Sequence, residues 1–248
     1  MNQYNFKTAT YLSQVRSLRE LALSLLGNYP LKVNKVEFIH HGQNTTFKVT
    51  STSGEKYLLR ICCEDYHTGK SIKEELKWLE KLVSEGFRVP CPIRSKSNRL
   101  VETQYTAKIP KGRKCVLFKW VNGRFIWSSV NEDYIFKLGQ FLGKLQVNGK
   151  GLSLSNRMQW KADDIVGNNP RFGNTNTLEI ATKRQQEIIS SGRLTILKKL
   201  RKYEKKEMTK QGLIHADLHF GNFIVHSGNI SAFDFDDCGF GAYCYDLA

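Results

Sequence analysis

Apolar positions change their spacing along this chain, and each change predicts an element. Over residues 8–27, Leu12, Val15, Leu18, Ala22 and Leu25 share one helical face, and Gly27-Asn-Tyr-Pro30 stops the helix. From Val33 to Ile61 the texture shortens to runs rich in Val, Phe and Thr. They are broken at His41-Gly-Gln-Asn44 and Ser51-Thr-Ser-Gly54, which predicts a three-strand meander. Helical spacing returns from Ser71 to Ser84, with Ile72, Leu76, Leu79, Leu82 and Val83 as the buried stripe. Val89-Pro-Cys-Pro92 leads into extended segments, with strands expected over Arg99–Thr106 and Lys114–Trp120.

Beyond Gly123 the pattern becomes mainly helical. Asn131 to Leu145 is amphipathic, with Tyr134, Leu138, Phe141, Leu142 and Leu145 facing inward. The stretch from Val147 to Asn176, rich in Gly, Asn and Ser, carries Trp160 and Asp163-Asp164 and is too irregular to assign. Thr177 to Lys210 reads as one long helix, or as two with a break at Ser190-Ser-Gly192. Two short apolar runs, Phe223-Ile-Val225 and Ile230 to Phe233, flank His226-Ser-Gly-Asn229, which predicts a hairpin. No repeat of fixed period and no low-complexity tract interrupts this order.

The 248 residues allow one large domain or two small ones, and two lobes fit better the passage from strands to helices. The six cysteines form no C-x-x-C pair and no zinc-like grouping with the six histidines, so they read as free thiols of a reducing compartment. Arg16, Arg19 and Glu20 break up any signal-peptide core at the N-terminus, and no segment reaches ~20 uninterrupted apolar residues. A cytoplasmic protein with no membrane partner is expected. The net charge of +15 draws heavily on Arg193 to Lys210, where eight basic residues face only Glu204 and Glu207. Such a face can attract nucleic acid or another polyanion. No aromatic residues alternate with the charges as a stacking platform needs, so a solvated face is the preferred reading over a nucleic-acid partner.

Chemistry concentrates in His215-Ala-Asp217-Leu-His219-Phe-Gly-Asn222, followed twelve residues past Asn222 by Asp234-Phe-Asp236. The hairpin between them brings its two ends together. Asn222 and Asp234 are therefore expected side by side, offering an amide oxygen and a carboxylate to a hard cation that keeps several waters. Asp217, five residues upstream of Asn222, supplies a second carboxylate. A surface turn beside an ordinary hairpin is the bland alternative, which the full string and the second acidic motif outweigh.

This wording resembles the catalytic loop and metal-binding aspartate of eukaryotic-type kinases, and more closely the aminoglycoside phosphotransferase and choline kinase-like family, where H-x-D-L-H-x-G-N is followed by a hairpin, D-F-D and Y-D-L-A. Tyr245-Asp-Leu-Ala248 supplies the last motif. The resemblance implies an α+β, two-lobed protein-kinase-like fold. Residues 1–118 would form an N-lobe of antiparallel sheet and one helix, 119–123 a hinge, and 124–248 a mainly helical C-lobe carrying the catalytic-loop hairpin. It implies ATP and Mg2+ as cofactors and a small-molecule hydroxyl acceptor as partner. Asp217 would take the proton of the attacking hydroxyl, Asn222 and Asp234 would hold Mg2+ on the phosphates, and His215 and Asp246 would brace the loop. Asp236, Asp237 and His219 would chiefly stabilise it.

The same resemblance puts Gly42, Asn44 and Thr45 in the phosphate-covering loop, although that segment read alone is an ordinary hairpin. Arg60 stands where kinases usually carry the lysine that grips the phosphates, and arginine can bind an anion through two nitrogens. Glu75 is the candidate to orient Arg60. At about 100° per residue it lies between Leu79 and Leu82 on the buried side, whereas Glu74 faces solvent. A buried carboxylate needs a partner, and a glutamate at the edge of the stripe is the alternative. Lys119, Trp120 and Val121 would present backbone groups to the adenine edge.

Relatives continue past Tyr-Asp-Leu-Ala with several helices, so a shortened product or a partial chain is expected, with apolar surface left open on the helices of 131–145 and 177–210. That leaves a kinase-shaped nucleotide-binding module with little turnover as the alternative function, and a basic nucleic-acid binder as a third.

Overall fold

The computed structural model describes residues 5–127, 130–168, 170–171, 181–206 and 211–247. Alternation of side chains builds the first sheet. Strands β1 (Val33–His41), β2 (Thr45–Ser51) and β3 (Lys56–Ile61) form the expected antiparallel meander, with Thr45, Phe47, Val49 and Ser51 buried and the residues between them less so. Next come β4 (Pro92–Ile93), β5 (Glu102–Thr106) and β6 (Ile109–Lys119), which complete a six-stranded sheet in the order β1-β2-β3-β6-β4, with β5 paired to β6.

Helix α1 (Tyr11–Leu26) starts at Thr10, whose hydroxyl accepts the Ser13 N–H, as a capping threonine does. It buries Leu18, Leu21, Ala22 and Leu25 against Phe47, Val49, Leu59, Ile61 and Leu117 of the sheet. Each fully buried leucine contributes about 1.5–3 kcal/mol relative to exposure. Leu12, expected on the inner stripe, is 64 % exposed, because burial follows the i, i+3, i+4, i+7 set that begins at Leu18. On β3, Leu59 and Ile61 face the α1 core, so Arg60 between them points to the opposite side of the sheet. Helix α2 (Gly69–Ser84), capped by Thr68, buries Ile72, Glu75, Leu76, Trp78, Leu79 and Leu82.

Helix α3 (Glu132–Asn148) follows. The segment 147–176, unassigned from sequence, supplies β7 (Met158–Trp160) and the short α4 (Ala162–Val166). Helix α5 (Lys183–Glu204) runs unbroken through Ser190-Ser-Gly192, and the expected extensions over 177–180 and 207–210 lie outside the described residues. A glycine costs a helix only about 1 kcal/mol relative to alanine, too little to split 22 residues. Arg201 on α5 pairs with Asp163 of α4, and Arg193 donates to the Gly167 carbonyl at 2.7 Å, so part of the basic run anchors α4 to α5. Strands β8 (Gln211–Ile214) and β11 (Gly239–Ala242) form with β7 a three-stranded sheet, β11 being parallel to β7 and antiparallel to β8.

The hairpin of β9 (Phe223–His226) and β10 (Asn229–Ala232) closes through Ser227 (φ 49°) and Gly228 (φ 73°). Positive φ at both central residues is the tight turn whose twist suits paired strands. The chain divides into two compact units, Met1–Asn131 with Phe220–Phe233, and Glu132–His219 with Asp234–Ala248. The hairpin belongs to the first unit, where Arg124 bridges Val225 through backbone bonds of 3.0 and 2.9 Å. Gly123 is required there, since a Cβ would lie 2.8 Å from Ile224 Cγ1.

Among the described residues, no helix is long and apolar enough to cross a membrane. All six cysteines are free thiols. Ile135 and Phe136 of α3 and Ile188, Leu194 and Ile196 of α5 are exposed.

Candidate active site

In the first unit, the strand pattern that sends Arg60 away from the α1 core delivers it to Glu75. Arg60 Nη1 donates to Glu75 Oε1 at 2.8 Å and Nη2 to Oε2 at 2.7 Å, with side chains only 5 % and 1 % exposed. The guanidinium also lies 5.3 Å from the centre of the Phe118 ring. Helix phase turns Glu75 rather than Glu74 inward, and the two-pronged bond to Arg60 is the partner that its burial demands.

The turn after β1 is anchored from both sides. The Asn44 side-chain oxygen accepts the Cys63 N–H at 3.1 Å, tying the turn to the end of β3. The Thr45 hydroxyl lies 2.7 Å from His41 Nδ1, and His41 Nε2 lies 3.0 Å from the side-chain oxygen of Gln14 on α1. Gln14 donates its own amide N–H to the Phe6 carbonyl, so its oxygen can only accept from His41. That places the imidazole proton on Nε2 and makes the Thr45 hydroxyl a donor to Nδ1. Burial, and next the neighbouring His40, hold the His41 pKa below its ordinary value. His41 and Gln14 were not legible as site residues, because they meet across 27 positions. Gly42 is exposed at the tip.

Over Lys119-Trp-Val121, two backbone donors are already engaged. Lys119 N–H donates to the Cys91 carbonyl at 2.8 Å and Trp120 N–H to the Lys56 carbonyl at 3.1 Å. These bonds finish the sheet.

Asn222 stands at the first end of the hairpin with its side chain largely buried, and its carbonyl accepts the Phe233 N–H at 2.9 Å. Asp234 is the next residue in the chain. Its φ of 63° and ψ of 62° are left-handed, a conformation that costs a residue other than glycine of order 1–3 kcal/mol and persists only where surrounding structure holds it. Rings of Phe125 and Phe233 approach edge-on at 6.1 Å, and Phe220 contacts Phe223 and Trp127, fastening the hairpin inside its unit.

In the second unit, β8 delivers Asp217 at the end of Ile214-His-Ala. His215 is fully buried, its ring 4.4 Å from that of Phe235, and its Nδ1 accepts the Asp217 N–H at 3.3 Å. Asp246 closes the base of the loop, accepting the N–H groups of His215 at 2.9 Å and Ala216 at 2.7 Å. Ala216 takes a left-handed φ of 70° between them. Burial raises the Asp246 pKa, and the two N–H donors pull it partly back. The Asp217 side chain is 43 % exposed, so it faces solvent rather than an apolar interior, with His219 Nε2 at 3.8 Å. The Tyr245 pKa is raised, first by burial and then by the charges of Asp217, Asp237 and Asp246.

Arg157 and Trp160 were missed by sequence reasoning. Arg157 donates from Nε to the Cys238 carbonyl at 2.7 Å and from Nη2 to the Asp236 carbonyl, while Trp160 Nε1 donates to the Asp237 carbonyl at 2.9 Å. Nothing in Arg157-Met-Gln-Trp160 signals these bonds, which span 77 to 81 positions.

Asn222 carries an amide oxygen and Asp234 a carboxylate, the hard donors that a divalent cation such as Mg2+ takes. No group of three or more His, Cys, Asp or Glu side chains among the described residues is arranged to hold a metal. Mg2+ is held by one or two carboxylates together with phosphate and water rather than by an all-protein cage.

Residues 35–248 match the family model described as the phosphotransferase enzyme family. An amicoumacin kinase of Bacillus subtilis (strain 168) is 25 % identical over 229 residues, covering 89 % of this chain, which spans 63 % of that relative's length. Among solved structures, a microcompartment-associated aminopropanol kinase aligns with a TM-score of 0.79 and 27 % identity over 92 % of this chain and 72 % of its own. An amicoumacin kinase in complex with AMP-PNP, Ca2+ and Ami aligns with a TM-score of 0.75 and 24 % identity over 95 % and 69 %. The fold is thus the α+β, protein-kinase-like one that the motifs implied. With the family model spanning residues 35–248 of 248, the chain belongs to the phosphotransferase enzyme family.

Proposed function

We propose that this protein transfers the γ-phosphate of ATP to a hydroxyl group of a small-molecule acceptor. The observation that carries the reading is the braced loop that presents Asp217, a half-exposed carboxylate whose backbone is pinned by Asp246 and His215. A general base has to reach the proton it removes, and a fixed backbone sets that reach before the acceptor arrives. Asp217 accepts the hydroxyl proton as the acceptor oxygen bonds to the γ-phosphorus. The bond from that phosphorus to the β–γ bridging oxygen breaks, and ADP leaves.

Arg60, oriented by Glu75, aligns the phosphates. Both Nη atoms donate to Glu75, which fixes the plane of the guanidinium. The turn of Gly42, Asn44 and Thr45 covers the phosphates, and the carbonyls of Lys119 and Trp120 with the Val121 N–H take the adenine edge. Asn222 and Asp234 are the residues that would hold Mg2+. When bound, that ion neutralises charge on the phosphate oxygens. The names of the kinase relatives support the reaction class, and amicoumacin and aminopropanol define the first acceptors to try. Six free thiols suit a reducing cytoplasm.

The test is thermal melting with ATP, with and without Mg2+, followed by ADP formation across a panel of alcohols, aminopropanol and amicoumacin included. A ligand at 100 times its Kd stabilises by about 2.7 kcal/mol. Mg2+-dependent stabilisation with acceptor-dependent ADP release is the expected result. Stabilisation without ADP release on any acceptor would reduce the protein to a nucleotide-binding module, and neither response would overturn the reading.

A further inference from the structure

Three consecutive carbonyls just beyond Asp234 are held by two side chains to which the proposed chemistry gives no role. Arg157, 3 % exposed, donates to the carbonyls of Asp236 and Cys238, and Trp160, 4 % exposed, donates to that of Asp237 between them. The clamp sits where β7 and β11 begin their parallel pairing, Met158 opposite Gly239. Gly239 permits that closeness, since a Cβ would lie 2.4 Å from the Met158 carbonyl oxygen. Trp160 is itself fixed by stacking on Tyr245, with ring centres 5.6 Å apart and planes 20° from parallel.

Asp234 stands two residues before the first clamped carbonyl, in the left-handed conformation that needs outside support. Between them, Phe235 is buried to 1 % against the His215 ring. The segment from 235 to 238 thus has its carbonyls held by donors and its Phe235 side chain fixed by packing. Asp234 leads directly into that fixed segment.

We infer that Arg157 and Trp160 are positioning residues, which act through the carbonyls of 236–238 to hold Asp234 in the conformation that aims its carboxylate at Mg2+. The inference rests on the proposed function, because it assigns the clamp to the metal ligand of that reaction. Partners one layer behind a metal ligand set its orientation, and their loss typically weakens metal binding by 10–100-fold.

The experiment compares Arg157→Met, Arg157→Lys and Trp160→Phe by titration with a fluorescent ATP analogue at several Mg2+ concentrations, including none. Trp160→Phe keeps a smaller ring to stack on Tyr245 and removes the N–H, and Arg157→Lys keeps the charge but not the fork. Arg157→Met is expected to weaken apparent Mg2+ affinity by roughly 10–100-fold, and the two conservative variants by less. Nucleotide affinity without Mg2+ should stay at the wild-type value, which a general loss of structure would not leave intact. Hydrogen exchange at the amides of 234–238 should rise in the same order. Wild-type Mg2+ dependence in a folded Arg157→Met protein overturns the inference. If that variant does not fold, wild-type dependence in both conservative variants overturns it equally. Asp234→Ala serves as reference. Should it too retain wild-type Mg2+ dependence, the proposed metal ligand falls and the inference with it, whereas a shift in Asp234→Ala alone sinks only the clamp.

Discussion

Replacing Glu75 with alanine leaves the Arg60 guanidinium buried without the carboxylate that both of its terminal nitrogens engage. The side chains are 5 % and 1 % exposed, so solvent screening offers little relief. Breaking a buried pair by deleting one partner costs about 3–5 kcal/mol. A domain of this size loses about 2–4 °C per kcal/mol, so Tm should fall by roughly 6–20 °C. The assay is equilibrium urea unfolding, with Trp78 on α2 as a fully buried reporter in the affected helix. A double variant, Arg60→Met with Glu75→Leu, removes both charges, and its stability should return to the wild-type value or exceed it by about 1–4 kcal/mol. Nucleotide affinity should stay low in the double variant, which separates the pair's work on phosphate from its effect on folding. A Glu75→Ala protein within about 0.5 kcal/mol of wild type would refute the reasoning, since surface substitutions do no more than that.

ATP affinity should depend on His41 ionisation. Its folded pKa is depressed, so the neutral ring's contribution is complete above the unfolded value of about 6.5 and is lost as pH falls through the lower folded value. Protonation puts a hydrogen on Nδ1, facing the Thr45 hydroxyl that donates there, while His40 adds repulsion and Gln14 and Tyr11 contribute no charge. A wild-type binding profile that stays flat as pH is lowered through the ionisation of His41, or one unaltered in His41→Asn, would contradict this. Asp246→Ala should strand the N–H groups of His215 and Ala216 at about 1–3 kcal/mol each. Urea unfolding and turnover should both register the loss, and an unchanged denaturation midpoint would contradict it. Asn222→Ala should weaken Mg2+-dependent ATP binding while sparing Mg2+-free binding, as the same titrations would read.

What the sequence made legible was mostly local. The hairpin was readable because its turn residues are consecutive, and Ser227-Gly228 takes the positive φ values that such turns need. Glu75 was readable because helix phase turned it inward among leucines, where a carboxylate cannot stand alone. The bracing role of His215 and Asp246 came with the motifs, and their bonds agree with it. Contacts between distant segments stayed hidden. Strand β7 has three residues and gains its meaning only from parallel pairing with β11, some eighty positions later. Arg157 and Trp160 act through that pairing, and their targets are carbonyls, which every residue has. The engaged N–H groups of Lys119 and Trp120 were equally invisible, since their acceptors lie on neighbouring segments. The inner stripe of α1 starts nearly two turns later than Leu12, at Leu18, because periodicity fixes a helix face but not how much of its length the sheet covers.

The central claim is that Asp217 takes the acceptor's proton while other groups hold the nucleotide. Asp217→Asn tests it most directly, because the amide keeps the shape of the side chain and loses its basicity. Mg2+-ATP affinity and acceptor-dependent ADP formation should be measured on the same preparation, with the acceptor that serves wild type best. Near-wild-type affinity is expected, with turnover lowered by about 10²–10⁴-fold. Turnover equal to wild type in the asparagine variant would contradict it.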